Sequence, residues 1–256
     1  MIESYYDKLA PFYKLIYQDW ESSVRQQAAA LHGVIQEYFG VHISRILDAA
    51  CGIGTQSIGL AELGYSLTAS DVSQAAVLIA RTEAHKRGLQ IEFAISDLRQ
   101  MPEVHAHQYD LVIACDNAIP HLLSDNEILE AFHHFHRCTT SSGGCIISVR
   151  DYATMGPIGM QIYPRTVHVM GDRRVILFDV WQADGAFYDL TTYAVEDHGG
   201  ETATTHVIKG GRYYCVTISK LESILKEAGF PKTVALRDRF FQPLVLGLKD
   251  DGRAAT

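Results

Sequence analysis

The 256 residues are enough to bury a full core, in one large domain with an insertion or in two small domains, and we take one large domain as the expectation. The 30 Asp and Glu residues outnumber the 22 Lys and Arg residues. The formal net charge of −8 argues against nucleic acid as a partner, because binding a phosphate backbone depends on clustered cations.

The first predicted elements are helices with aromatic side chains along one side. Residues 1–42 include the largest aromatic cluster of the chain: Tyr5, Tyr6, Phe12, Tyr13, Tyr17 and Trp20. We interpret residues 1–42 as a helical lid whose rings cover a ligand and exclude water. The alternative is an amphipathic helix that only packs its apolar face against the domain.

Residues 43–155 alternate between short apolar runs and helix-like segments. Strands are predicted over 43–50, 65–70, 91–96, 109–115 and 144–150. Helices are predicted over 55–64, 73–88 and 124–138, the last beginning with Ser124 and Glu127 at the spacing of a capping box. This alternation predicts a three-layer α/β fold, in which helices cover both faces of a mostly parallel seven-strand sheet.

The alternation ends after residue 150, and we place the boundary of the core at residue 155. Strand-like runs joined by short polar turns, over 165–170, 173–182, 186–196 and 202–216, predict an antiparallel insertion at 156–214. A helix over 219–230, with Ser219 and Glu222 at capping-box spacing, and a strand over 240–249 follow. We therefore expect residues 215–256 to complete the core that begins at residue 43.

The stretch ILDAACGIGT, residues 46–55, turns the end of the first predicted strand into a glycine-rich loop. In open α/β sheets the ligand lies beyond the carboxyl ends of the strands. Gly52 and Gly54 allow a sharp turn and a close approach of the backbone to a ligand. Asp71 follows the second strand, nineteen residues beyond Gly52, where a carboxylate accepts hydrogen bonds from both hydroxyls of a ribose. The pattern predicts a cofactor that contains a nucleoside.

Two positions argue against a dinucleotide. Dinucleotide sites usually place a third glycine where this chain has Ser57. The carboxylate of Asp48 is unfavourable beside a pyrophosphate and suits a cofactor with a positively charged amino group. S-adenosylmethionine has a ribose, an amino acid end and no phosphate, so it is favoured over NAD.

The sequence resembles the class I S-adenosylmethionine-dependent methyltransferases over residues 43–150. The resemblance rests on four segments in order: ILDAACGIGTQS, SLTASDVS, AISDLRQMP and YDLVIACDNAIPHL. Within that class, CDNAIPHL, VRDY and GRYYCVTISKLESILKEAGF are most similar to the glycine N-methyltransferase branch and related small-molecule methyltransferases. The resemblance implies a Rossmann-like methyltransferase fold with S-adenosylmethionine as its cofactor.

The resemblance, the glycine turn and the lid together give the expected cofactor contacts. They are Tyr17, Trp20, Arg25, Asp48, Ala50, Gly52, Gly54, Asp71, Val72, Asp97, Leu98, Cys115 and Asn117. By the resemblance, Asp48, Ala50 and Gly52 line the methionine end. Cys115 and Asn117 flank its amino group and the sulfonium.

The resemblance also implies contacts with the rest of the cofactor. Asp71 takes the ribose hydroxyls, and Asp97 with Leu98 meets the adenine. Arg25 reaches the cofactor carboxylate from the N-terminal segment.

Methyl transfer is an in-line displacement at a sulfonium, so the protein must hold a nucleophile about 3 to 3.5 Å from the methyl carbon and exclude water. A neutral amine needs no base during attack, whereas a hydroxyl or ring N–H benefits from one. His121 is the candidate base, with a packing or hydrogen-bonding role as the alternative. Arg150 and Tyr152 follow the fifth strand. The resemblance implies that Arg150 binds an anionic or carbonyl group of the substrate, and the alternative is a salt bridge with Asp151 or another surface acid.

Other features bear on metals and location. His133 and His136 share a helix face in HHFHRC, but a zinc site needs three or four ligands, so no metal is expected. The five cysteines are odd in number and several lie in apolar runs, which predicts reduced thiols and a cytoplasmic protein. The N-terminus lacks the pattern of a signal peptide and no apolar stretch is long enough to span a bilayer, so no membrane partner is expected.

We therefore predict a methyltransferase that moves the methyl group of S-adenosylmethionine to a nitrogen of a small-molecule acceptor. An O-methyltransferase, an NAD-dependent oxidoreductase and a noncatalytic S-adenosylmethionine-binding protein are the alternatives. The identity of the acceptor, the number of methyl transfers and the oligomeric state stay open, with a homo-oligomer among the options.

Overall fold

The computed structural model describes residues 2–100, 108–154 and 159–249. The helices in these ranges are α1 (Ile2–Leu9), α2 (Trp20–Tyr38), α3 (Thr55–Glu62), α4 (Gln74–Lys86), α5 (Asp125–Cys138) and α6 (Ile218–Glu227). Short 3₁₀ helices cover Ala10–Ile16 and Ile119–His121. None of these helices is long and apolar enough to cross a membrane.

Seven strands in the described part of the chain form the central sheet. They are β1 (Arg45–Asp48), β2 (Ser66–Asp71), β3 (Ile91–Ile95), β4 (Tyr109–Ala114), β5 (Thr139–Ser148), β10 (Lys232–Leu236) and β11 (Leu244–Leu248). Their order is β10-β11-β5-β4-β1-β2-β3. Strands β1 to β5 are parallel, and β11 is antiparallel to both of its neighbours. The predicted fold class is confirmed, and β10 is the strand to which the sequence analysis assigned no residues.

Helices cover both faces of this sheet, which is why its central strands are apolar throughout. On one face Phe132 of α5 and Leu225 of α6 pack in one buried cluster with residues of β1 and β4. On the other face Leu31 of α2 and Leu60 of α3 join a second buried cluster. Helices α2 and α3 approach closely at Gly59, where an added Cβ would lie 2.6 Å from the Cβ of Ala28.

The helix starts follow the expected capping chemistry, with one correction. Ser124 caps α5, and its hydroxyl accepts a hydrogen bond from the backbone N–H of Glu127, as predicted. The predicted capping box of Ser219 and Glu222 is wrong. The cap of α6 is Thr217, which accepts from the N–H of Lys220, so this helix begins earlier than expected.

The second sheet is the antiparallel insertion. It consists of β6 (Met160–Met170), β7 (Arg173–Asp184), β8 (Phe187–Asp197) and β9 (Ala203–Tyr214), in the order β6-β7-β8-β9. Its inner face packs against the N-terminal helices through a cluster that includes Tyr5, Leu9, Trp181 and Leu190. Strand β6 starts before the predicted run 165–170. The predicted boundary between residues 155 and 156 lies outside the described residues.

One carboxylate fixes α1 to the central domain. Asp7 accepts hydrogen bonds from the Ser73 hydroxyl at 2.6 Å and from the Ala75 N–H at 3.2 Å, at the start of α4. An acidic side chain is favourable there because the first amides of a helix are unpaired and carry partial positive charge. The anchor holds the N-terminal aromatic residues over the carboxyl ends of β1, β2 and β4.

Candidate active site

A cavity lies at the carboxyl ends of β1, β2 and β4, beneath the N-terminal segment. Its wall contains nine of the predicted site residues: Tyr17, Ala50, Gly52, Asp71, Val72, Asp97, Leu98, Cys115 and His121. The strand order reverses between β1 and β4, and open parallel sheets bind their ligands at such a point. We call this space the cofactor cavity.

The glycine turn forms the floor of the cofactor cavity. Gly52 has φ 52° and Gly54 has φ 88°, in the left-handed region that glycine adopts without strain. An added Cβ on Gly52 would lie 3.2 Å from the Tyr13 hydroxyl, so the absence of a side chain keeps the floor open. Gly54 lies behind the wall, where it caps α3.

Asp71 links the end of β2 to this turn. Its carboxylate accepts hydrogen bonds from the Gly52 N–H at 2.8 Å and from the Ser73 N–H at 2.9 Å, one on each oxygen. Burial raises the pKa of Asp71 above its ordinary value. A carboxylate oxygen can accept more than one hydrogen bond, so both oxygens keep lone pairs for donors inside the cavity.

Asp48 does not line the cavity, contrary to the prediction for the methionine end. It is fully buried under the turn and accepts a hydrogen bond from the Ser57 hydroxyl at 2.5 Å. Burial raises the pKa of Asp48 to about 7. Ser57, which argued against a dinucleotide, is thus the partner of this carboxylate, and Asp48 shapes the turn from below.

Two residues predicted to contact the cofactor from the N-terminal segment also lie off the wall. Trp20 is buried and donates from its indole N–H to the hydroxyl of Thr55 at 2.9 Å, so it acts on the cavity through that residue. Arg25 is exposed on α2 and does not line the cavity. The physical reason is helical phase, because the inward positions of α2 beside Arg25 are held by Val24 and Ala28.

Asn117 and Tyr152 support the site from behind its wall. The Asn117 side-chain amide donates to the Tyr152 hydroxyl at 2.8 Å, and its oxygen accepts from the backbone N–H of Arg150 at 3.0 Å. Both side chains are buried and neither lines the cavity. In this structure Asn117 and Tyr152 join the ends of β4 and β5, and their predicted roles at the cofactor and the substrate stay predictions.

One part of the cavity wall contains an ion pair. Asp97 accepts hydrogen bonds from the guanidinium of Arg99 at 2.7 and 2.9 Å. The Arg99 guanidinium beside Asp97 lowers the pKa of that carboxyl. Asp97 therefore stays ionised and can still accept a hydrogen bond from an amino group in the cavity.

His121 lies where the predicted base should be, with both ring nitrogens engaged. Nδ1 is 2.9 Å from the backbone carbonyl of Arg212, which can only accept, so Nδ1 carries the proton. Nε2 is 2.7 Å from the Tyr6 hydroxyl and, in the neutral ring, accepts a hydrogen bond from it. Burial, with the nearby charge of Arg150, lowers the pKa of His121 to about 4.

This environment predicts a specific acid sensitivity. The unfolded chain binds a proton at His121 near the ordinary pKa of about 6.5, whereas the folded protein binds it only near 4. Between these values the unfolded state holds more protons, so stability falls as the pH drops. Over this window the wild type should lose roughly 3 kcal/mol of unfolding free energy more than His121→Asn, in urea titrations at several pH values.

The difference between the two proteins isolates His121, because they share every other titrating group. His133→Asn, which alters an exposed histidine of α5, is the control and should follow the wild-type profile. Parallel pH profiles for the wild type and His121→Asn would contradict the buried neutral state of the ring.

A second chamber lies under the inner face of the antiparallel sheet and shares Tyr6 and Tyr13 with the cofactor cavity. Its wall includes Asp116, Arg150 and Arg165. The Arg165 guanidinium binds Asp179 at 2.5 Å. The Arg150 guanidinium lies over the rings of Trp181 and Tyr213, at 4.7 and 5.5 Å from their centroids. We call this space the acceptor chamber.

Arg150 is incompletely paired. Its Nη1 atom is buried and has no hydrogen-bond partner among the described residues. The predicted alternative, a salt bridge with Asp151, is absent there, because Asp151 pairs instead with Arg237. A buried guanidinium N–H without an acceptor is costly, and a ligand anion or carbonyl in the chamber would supply that acceptor.

Sequence reasoning missed several residues of these two spaces. Asp116 borders both and adopts φ 54°, an uncommon conformation for a residue other than glycine. Tyr6 and Tyr13 were recognised only as aromatic residues of the lid, and Arg165 had no local signal. Asp116 could have been noticed from its place between Cys115 and Asn117, whereas Arg165 reaches the chamber only through the pairing of β6 with β7.

Comparison with known proteins bears directly on this site. Residues 46–143, which run from β1 into β5 and include the glycine turn, match the family model described as "Methyltransferase domain". The chain contains a class I S-adenosylmethionine-dependent methyltransferase domain. The predicted family is therefore confirmed.

Relatives of the methyltransferase domain act on different atoms. The chain is 28% identical over 134 residues to a glycine/sarcosine N-methyltransferase of Halorhodospira halochloris, which covers 52% of this chain and 49% of that protein. It is 27% identical over 97 residues to a ubiquinone biosynthesis O-methyltransferase of Azoarcus sp., covering 38% of this chain and 41% of that protein. The chain thus matches about half the length or less of these curated relatives.

The fold has relatives over nearly its whole length. The structure of CalS10, an amino pentose methyltransferase from Micromonospora echinaspora solved with S-adenosylmethionine bound, superposes with a TM-score of 0.77 and 15% identity. The match covers 94% of this chain and 95% of that one. At this identity the likeness establishes the fold, including the antiparallel sheet beside the methyltransferase domain.

Proposed function

We propose that the protein transfers the methyl group of S-adenosylmethionine to a nitrogen of a small-molecule acceptor. The family and the cavity support this cofactor. In the proposal the Asp71 carboxylate, which already accepts from the N–H groups of Gly52 and Ser73, uses its remaining lone pairs to bind the ribose hydroxyls. The absence of a side chain at Gly52 leaves room for the cofactor against the turn. Val72, Leu98 and Asp97 surround the adenine, and Cys115 with Tyr17 lies at the methionine end.

When bound, S-adenosylmethionine would supply a methyl carbon that its sulfonium activates toward a lone pair of the acceptor. The protein contributes by positioning the acceptor against the methyl carbon and by excluding water from the site. Tyr6 and Tyr13, whose rings stack with centroids 5.9 Å apart, line both the cofactor cavity and the acceptor chamber, so the two spaces adjoin at these rings. Asp7 keeps these rings in place by anchoring α1.

The state of His121 favours nitrogen as the accepting atom. A hydroxyl acceptor benefits from a base, and a histidine with pKa about 4 whose Nε2 already accepts from Tyr6 is a poor one. A neutral amine attacks without a base. Because the Tyr6 hydroxyl donates its hydrogen bond to His121, its oxygen keeps lone pairs with which it can accept from the N–H of an amine.

Arg150 supplies the second anchor for the acceptor. Its unpaired Nη1 and its stacked guanidinium plane suit an anionic or carbonyl group of the substrate. The sequence match to a glycine/sarcosine N-methyltransferase and the fold shared with an amino pentose methyltransferase also support nitrogen as the accepting atom. The O-methyltransferase relative makes an oxygen acceptor the alternative to be tested.

The cofactor is tested by thermal melting with S-adenosylmethionine, S-adenosylhomocysteine and NADH in parallel. A ligand that binds only the folded state at about 100 times its Kd adds roughly 2.7 kcal/mol. For a chain of this size that corresponds to a rise in Tm of roughly 5 to 10 °C with the first two ligands. NADH should give no rise, and a rise with NADH alone would replace the proposal by a dehydrogenase.

The accepting atom is tested by following S-adenosylhomocysteine release with panels of amines, ring nitrogens and hydroxyl compounds. We expect turnover in the amine panel, above all with amines that also carry an anionic or carbonyl group. Turnover confined to hydroxyl compounds would contradict nitrogen transfer. Binding of the cofactor without turnover in any panel would instead support a noncatalytic role.

A further inference from the structure

The antiparallel sheet has an outer face, opposite the one that covers the acceptor chamber, which is strongly apolar. We define this outer face by the side chains of β6–β9 that point away from α1. Its centre is formed by Ile162, Val167, Ile176, Phe178, Tyr193 and Val207. Ile162 is 68% exposed, Val167 51% and Val207 46%.

The pairing register brings these side chains together into one surface. Val167 lies opposite Ile176, and Phe178 lies opposite Tyr193 with the two rings stacked 4.9 Å apart. Residues one position along each strand, such as Leu177 and Trp181, point inward and are buried. The alternation therefore makes both faces of this sheet apolar, although only the inner one is covered by described residues.

We infer that the outer face binds the same face of a second copy of this chain. Contiguous apolar patches of this size are uncommon on monomers and mark interaction sites. Two antiparallel sheets stack about 10 Å apart with interdigitated side chains, as in a β-sandwich, so the same surface on two copies can meet about a twofold axis.

The size of the face fits a stable dimer. The outer face has four strands about 4.8 Å apart, and along each strand about five side chains point outward at intervals of about 6.8 Å. The flat area of the face is therefore roughly 650 Å², and protruding side chains add to it. A standard interface buries about 800 Å² on each partner. One face of the sheet therefore suffices without help from the central domain.

The charges at the ends of the face also fit self-association. At one end Arg174 pairs with Asp197 on the neighbouring strand. At the other end Arg212 pairs with Asp189 and Asp184. Each end carries positive and negative side chains, so a twofold arrangement need not bring only like charges together. An apolar centre surrounded by a polar rim is the usual composition of an interface. These arginines are paired with acids, which disfavours an anionic membrane as the occupant.

The inference is tested by sedimentation velocity over a concentration series. The wild type should sediment at twice the 28.5 kDa mass of the chain. The double variant Val167→Glu with Val207→Glu, which places repelling carboxylates at the centre of the interface, should sediment as a monomer with an unchanged far-ultraviolet circular dichroism spectrum. The control pair Val41→Glu with Leu78→Glu changes exposed apolar residues outside the sheet and adds the same charge, so it should stay dimeric.

Two results would overturn the inference: a wild type that is monomeric throughout the series, or a folded glutamate variant that is still dimeric. If the glutamate pair fails to fold, Val167→Ser with Val207→Ser removes apolar area without charge and should weaken the dimer at least tenfold. An unchanged dissociation constant for that pair would count against the outer face. Binding of a monomeric wild type to phosphatidylcholine vesicles would assign the face to lipid and equally overturn the dimer.

Discussion

Asp71→Asn is expected to weaken the binding of S-adenosylhomocysteine by roughly tenfold to a hundredfold in calorimetric titration. The carboxylate both holds the glycine turn, through the Gly52 N–H, and offers the acceptors for a ribose. An amide keeps one acceptor and presents donors in place of the other, so either the turn or a ribose hydroxyl is left without a partner. The loss corresponds to about 1 to 3 kcal/mol.

Asp110→Asn is the matched control for this variant. Asp110 also accepts two backbone N–H groups, from Ser44 and Arg45 at 2.9 and 2.8 Å, but at the opposite end of the central sheet. Both variants should therefore lower the Tm of the free protein, because each removes a charged acceptor from two amides. Only Asp71→Asn should lose ligand affinity. Equal affinities for the two variants would remove Asp71 from the ribose site and leave it a purely structural role.

The elements that could be predicted are those that depend on the spacing of residues close together in the sequence. The strand and helix periods gave the parallel sheet, and the distance from Gly52 to Asp71 gave two residues that meet at one edge of that sheet. Ser124 was recognisable as a cap because its partner lies three residues away. In each case the physical cause acts within one element or across one strand–helix–strand unit.

The residues that were misplaced depend on packing between distant segments. Asp48 follows a buried strand, as a ligand-binding acid would, yet the depth of the turn places it below the cavity beside Ser57. Arg25 could not be oriented, because the phase of α2 is set by its contact with α3 at Gly59. Tyr152 has a hydroxyl at the expected edge of the sheet, but that hydroxyl accepts a hydrogen bond from the side chain of Asn117 and does not line the cavity.

Arg165→Met is expected to destabilise the protein by about 3 to 5 kcal/mol in urea unfolding, the largest stability effect that we predict. Asp179 is 1% exposed, and its carboxylate is neutralised by the Arg165 guanidinium. Without the guanidinium a carboxylate would stay buried with only the Thr192 hydroxyl, at 2.7 Å, and the longer contact with Trp181 as donors. Breaking one partner of a buried pair leaves an uncompensated charge, which is why the cost is high.

Arg150→Met tests the opposite case in the same chamber. Arg150 makes no salt bridge with the described residues and has a buried Nη1 without an acceptor, so an apolar side chain of similar length removes a desolvated charge. That gain is reduced because Tyr213, Tyr152 and Asp116 favour the charge. The loss of stacking on Trp181 and Tyr213 offsets part of that gain, so the unfolding free energy should change by less than about 1 kcal/mol. Because Arg150 is proposed to bind the acceptor, KM for the acceptor should rise at least tenfold while affinity for S-adenosylhomocysteine is unchanged. Equal destabilisation by the two substitutions would show that Arg150 is a structural residue like Arg165, and the anionic or carbonyl group assigned to the acceptor would lose its support.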